Sequence, residues 1–114
     1  MKRTAQACIL GLLAAAGCAS TDAPHREMTA ARAMVAQARP VAEKEAPLEL
    51  AAAQGKLVRA EMAMQRGHYE HARLLAEQAE ADAKFAWTLA EQLRAQRVLR
   101  EELERKGELE RKGQ

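Results

Sequence analysis

Between positions 69 and 93 the chain reads YEHARLLAEQAEADAKFAWTLAEQL, and one residue type keeps time through it. Ala72, Ala76, Ala79, Ala83, Ala86, Ala90 and Leu93 recur at alternating steps of four and three residues. Such steps bring side chains to a single helix face, because about 3.6 residues complete one turn. A heptad seam built almost wholly of alanine lets two helix backbones approach toward the short end of the usual spacing of about 8–10 Å. Leu75, Trp87 and Leu89 flank the seam and are expected to cover its edges, with Trp87 as a core anchor. Arg73, Glu77, Glu80 and Lys84 are expected to face outward, Glu80 and Lys84 being spaced as a favourable i,i+4 pair.

The same rhythm appears twice upstream. Met28, Ala31, Val35, Ala38 and Ala42 predict a helix from about His25, capped by Thr21 or Asp22. Pro40 is expected to break or kink it, leaving residues 41–46 as a loop or a kinked extension. Pro47 suits the first position of a second helix. Leu50, Ala53, Leu57, Ala60 and Met64 give that helix its apolar face, and Gly67 can end it in the left-handed conformation. The fold class is therefore all-α: an antiparallel helical hairpin or three-helix bundle with a long C-terminal helix and an Ala-rich heptad seam.

Composition agrees and adds a constraint. The chain has 114 residues, enough for one domain. From Cys18 onward it carries 22 alanines against 21 larger apolar residues, so burial yields little area per residue and the core is thin. That thinness is a reason to expect helix pairing with another chain.

Past Leu93 the seam meets Arg97 and Arg100. The helix is expected to continue toward Lys106, for a length on the order of 55 Å from Tyr69, helped by the spacings Glu101/Arg105 and Glu102/Lys106. ELERKG then occurs twice, at 102–107 and 108–113. A charged hexapeptide with a glycine in each copy predicts a frayed, solvated tail over 102–114.

The other terminus carries a different kind of signal. Met1-Lys2-Arg3 precedes an uncharged run, Ala7 to Ala16, of ten residues. A membrane-spanning helix needs about 20, so the run describes a secretory signal. Leu13-Ala14-Ala15-Ala16-Gly17-Cys18 then resembles the lipobox of bacterial lipoproteins. The resemblance implies a signal over 1–17, with Ala15, Ala16 and Gly17 forming the cleavage signal. Cys18 would be the lipidated residue, and 18–24 a tether. Ala15 stands where leucine is usual. Ala19 follows the cysteine where an aspartate would imply inner-membrane retention, so for a Gram-negative source the resemblance implies the outer membrane, periplasmic side.

Loss of Lys2 and Arg3 with the signal takes two of the 18 basic residues and leaves balance with the 16 acidic ones. A neutral, mixed-charge domain gives no reason to propose nucleic acid as a partner. Cys8 and Cys18 both lie in the first 18 residues, so no thiol serves the helical region at 25–101.

The ordered run Ala46-Pro47-Leu48-Glu49-Leu50, Lys56-Leu57, Ala60, Gly67-His68-Tyr69, Ala72, Leu75-Ala76, Gln78-Ala79 and Asp82-Ala83 resembles bacterial envelope proteins carrying domain of unknown function 4398. The resemblance spans about residues 28–90, with His68 in place of a usual aspartate. Some members are joined to an OmpA-type peptidoglycan-binding domain. The resemblance implies helices and an envelope location, and it supplies no activity. The Gly-x-Tyr turn before spaced alanines is also similar to a tetratricopeptide-type helix pair, of which a superhelix would need several copies.

Little in the chain points to chemistry. His68 and His71 are weak candidates for a metal site, three apart with no cysteine to complete the set. Met28, Met34, Met62 and Met64 fall at helical spacing, as packing residues do. Beyond the tether the hydroxyl residues are Thr29, Tyr69 and Thr88, and no glycine-rich phosphate loop is present. No enzyme, cofactor or metal is expected. The expected partners are the membrane, through lipid at Cys18, and a protein or second copy through the helices. Peptidoglycan is the alternative partner, suggested by the basic Arg105, Lys106, Arg111 and Lys112, although Gly113 and Gln114 follow the last lysine.

Overall fold

A computed structural model of the protein describes residues 22–114. Ala15, Ala16, Gly17, Cys18 and Thr21 lie outside the described residues. Three helices follow in order: α1 (His25–Glu45), α2 (Pro47–Gln65) and α3 (Tyr69–Lys112). They form a three-helix bundle. Arg32 on α1 pairs with Glu61 on α2 at 3.0 Å, so these two helices run antiparallel about the corner at Ala46. Glu27 faces Arg73 at 3.7 Å and Glu45 faces Arg97 at 2.8 Å, so α1 runs parallel to α3. Lys56 pairs with Asp82 across the third interface, between α2 and α3.

The chain enters α1 through Pro24, which is fully buried, and the Asp22 side chain does not cap the helix. Pro24 holds the cap position without a side-chain bond, and its carbonyl accepts the first helical bond, from the Met28 amide at 3.0 Å. Glu27 in the first turn and Lys44 in the last complement the helix dipole.

Pro40 does not break α1. The helix passes through it to Glu45, so residues 41–45 are a helical continuation and not a loop. Proline leaves the carbonyl of the residue four back without its helical donor. Here that residue is Ala36, and both Ala36 and Pro40 are exposed, so water can serve the carbonyl. A break at Pro40 would also pull Ala42 out of the core. The break falls instead at Ala46, with φ −142 and ψ 56. Pro47 disfavours helical geometry in the residue before it and starts the next helix without needing its missing amide. Ala46 itself is buried, so the corner is packed as well as bent.

The second turn works through a glycine. His68 N–H donates to the Ala63 carbonyl at 2.9 Å and Gly67 N–H to Met64 at 3.1 Å, the paired bonds of a Schellman ending. Gly67 has φ +74, a conformation that a Cβ would strain.

α3 is the central element. Ala72, Ala76, Ala79, Ala83, Ala86 and Ala90 are fully buried, and Leu75 nearly so. Toward the turn, Leu75, Ala76 and Ala79 pack with Met28, Ala31 and Ala60. Toward the corner, Ala83, Ala86 and Ala90 meet Val35, Ala42, Leu50 and Ala53, and half-buried Trp87 and Leu89 close the edges. Leu57 touches both groups. Leu93 departs from its expected place in the seam: it is 37% exposed, and Ala90 is the last buried residue of the line.

The tail also differs from expectation. Residues 102–112 continue α3 as helix, which at 44 residues is about 66 Å long. Glu, Leu, Arg and Lys are strong helix formers, and one interior glycine costs only about 1 kcal/mol. Side chains add local bonds: Arg97 to Glu101 at 3.0 Å and Arg105 to Glu102 at 2.8 Å, in place of the expected Glu101/Arg105 and Glu102/Lys106 pairs. Arg111 and Lys112 in the last turn oppose the negative end of the dipole. No helix among the described residues is long and apolar enough to cross a membrane.

Candidate functional site

The alanine seam, expected as an interaction surface, is covered by this chain's own α1 and α2. Its six alanines have no exposed area, so they are an internal packing line. Close helix approach is their product: a methyl at each step lets α1 and α2 both lie against α3.

Arg73, expected to face outward, instead turns toward α1. It is half-buried beside Glu27, and its Nε is buried without a hydrogen-bond partner, the 3.7 Å separation being too long for one. At the corner end, Arg97 closes the bundle. Its Nε and Nη2 both donate to Glu45 Oε1, at 3.1 and 2.8 Å, and Nη1 donates to Glu101. The bond to Glu45, and after it the bond to Glu101, raises the Arg97 pKa above the ordinary guanidinium value, so the clamp stays charged. Pro40, Val41, Lys44 and Arg94 line a shallow open recess around it.

His68 and His71 are brought to one recess beyond the α2–α3 turn, both exposed. Arg59 and Arg66 share its wall, and their positive charge opposes a cation there. Among the described residues no group of three or more His, Cys, Asp or Glu could hold a metal ion.

Large apolar side chains remain uncovered on α2, where Leu48, Val58 and Met62 are exposed, and along α3. On the far side of α3, Leu74 is 51% exposed, Phe85 61% and Leu99 61%. Sequence reasoning read this face as charged because it followed Arg73, Glu77, Glu80 and Lys84. The signal it passed over is a second series at steps of four and three, with Leu74, Ala81, Phe85, Ala95 and Leu99 as its apolar members. Gln78, Thr88 and Gln92 fill its intervening positions. That series is offset by half a helix turn from the buried alanines and holds no charge from 74 to 99.

The family model described as Domain of unknown function (DUF4398) matches residues 26–101, about two thirds of the chain. The chain belongs to the DUF4398 family. No curated protein and no solved structure matches it. The DUF4398 match begins one residue inside α1 and ends at Glu101, the second carboxylate on Arg97. The DUF4398 region is thus the bundle together with its Arg97 clamp, and residues 102–112 of α3 project past it.

Proposed function

We propose that this protein is a lipid-anchored envelope lipoprotein whose DUF4398 bundle is a non-catalytic structural and protein-interaction module. It would be held at the outer membrane by acyl chains on Cys18 and exposed on the periplasmic side. The observation that carries the interaction role is the length of α3. At 44 residues it is more than twice as long as α2, and its far side and its last turns are left uncovered. The anchoring rests on the sequence Leu13 to Cys18. Each buried methylene contributes about 0.8 kcal/mol, so two or three chains hold a protein stably at a bilayer.

The seven residues 18–24 span at most about 25 Å when extended. The His25 end of the bundle therefore stays near the membrane, and α3, parallel to α1, starts at that end.

Crosslinking in intact envelopes, followed by capture of the full-length lipoprotein and of a Cys18→Ala variant, tests this reading. Labelled palmitate on the native chain and none on Cys18→Ala, with an envelope protein recovered only with the lipidated form, supports it. A chain that takes no acyl label, or that behaves the same with Cys18→Ala, overturns it.

A further inference from the structure

We propose that two copies of this chain pair antiparallel through the outer face of α3, centred between Phe85 and Thr88. The proposal deepens the interaction-module reading, on which it rests, by naming the surface and its occupant. The two His25 ends of the pair lie on the order of 50 Å apart, so both tethers reach one bilayer with the pair lying along it.

The face has coiled-coil spacing. Leu74, Ala81, Phe85, Ala95 and Leu99 supply its apolar members, all exposed and all on the side of α3 away from α1 and α2. Between Leu74 and Leu99 the neutral strip is 26 residues, about 39 Å of helix. A lone solvated face has no need of such a run free of charge, because exposed helix positions are normally filled with Glu, Lys and Arg.

The flanking charges select both the partner and the direction. One edge of the strip carries Glu70, Glu77, Lys84, Glu91, Val98 and Arg105 at successive heptad steps. In an antiparallel pair these residues meet their own kind from the second copy. With Phe85 opposite Thr88 of the second copy, Leu74 falls opposite Leu99 and Ala81 opposite Gln92. In that register Lys84 meets Glu91 and Glu70 meets Arg105, each twice by symmetry, while Glu77 meets Val98. No like charges face each other along this edge. The other edge adds none, since the positions opposite Asp82 and Gln96 are Leu89 and Leu75, which are turned into their own bundle. A parallel pair would instead set Glu77 against Asp82 and gain no ion pair.

The test uses the full chain with Cys8→Ser and Cys18→Ser, so that introduced cysteines are the only thiols. Leu74→Cys and Leu99→Cys proteins are oxidised separately and then as a mixture. The antiparallel pair gives a disulfide dimer efficiently only in the mixture. Dimers from each variant alone, with none added by mixing, would mean parallel pairing and overturn the proposal. No dimer in any tube overturns it as well.

Sedimentation of the chain without introduced cysteines then checks the register. Lys84→Glu, which sets a carboxylate against Glu91 at two symmetric places, weakens association by about tenfold or more, and adding Glu91→Lys restores it. Both positions lie outside the core, so the helical signal and melting of the diluted chain stay unchanged. Equal weakening in the double variant sinks the register. A chain that sediments as a monomer at every concentration refutes self-pairing alone. The interaction-module reading is then judged separately, by whether the native lipoprotein captures another envelope protein.

Discussion

Ala51, Ala52 and Ala53 are consecutive and chemically identical, yet only Ala53 is buried. It belongs to the buried group that holds Ala83 and Ala86 of α3 with Val35, Ala42 and Leu50. Ala53→Leu adds three carbon atoms where backbones are held close by methyl groups alone. Overpacking of this kind costs about 1–3 kcal/mol. A bundle of this size is expected to lose about 4–8 °C of Tm for each kcal/mol, so the variant should melt about 5–20 °C lower. Ala52→Leu places the same atoms in solvent and should move Tm by less than about 4 °C. Circular dichroism at 222 nm on dilute full-length protein measures both. Equal shifts for the two variants, or no shift for Ala53→Leu, would refute the packing derived for the seam.

Other consequences follow from the turns, the exposed glycine and the tail. Gly55 lies exposed inside α2 with open space around its Cβ position, so Gly55→Ala should stabilise the bundle by about 0.5–1 kcal/mol in a urea titration. Gly67→Ala meets equally open space but forces φ +74 on an L-residue, and should destabilise by about 1 kcal/mol in the same assay. A rise in stability there would mean that the turn is not left-handed. Deleting residues 102–114 removes helix that packs on nothing else among the described residues. Ellipticity at 222 nm should fall while Tm stays within about 2 °C, and a large drop in Tm would show the projecting turns to be part of the bundle.

The corner and the tail show where local reading reaches its limit. Pro40 and Pro47 are alike in local chemistry, and either can end a helix. Which one does so depends on where Ala42 and Ala46 must lie against α3, a matter of packing that a local window does not contain. The second ELERKG copy carries strong helix formers, but a glycine and a terminus argued for fraying. The helical outcome came from summed propensities and charge pairs, each of them small. Arg97 was seen only as an interruption of the seam. Its use as a clamp needs Glu45, which lies 52 residues away and beyond a chain reversal.

By itself, the sequence determined the periodic quantities: three helices, the register of the alanine seam, the left-handed glycine at 67, and the apolar positions of α1 and α2. These depend on residues within a turn or two of one another. Tertiary structure alone decided which proline becomes the corner, that the seam is filled from within the chain, and where α1 and α2 stop covering α3. It thereby decided which side of α3 remains uncovered. The seam and the outer strip both repeat at steps of three and four, and periodicity cannot say which is buried. Helix packing can, because only the alanine line admits two neighbouring backbones at once.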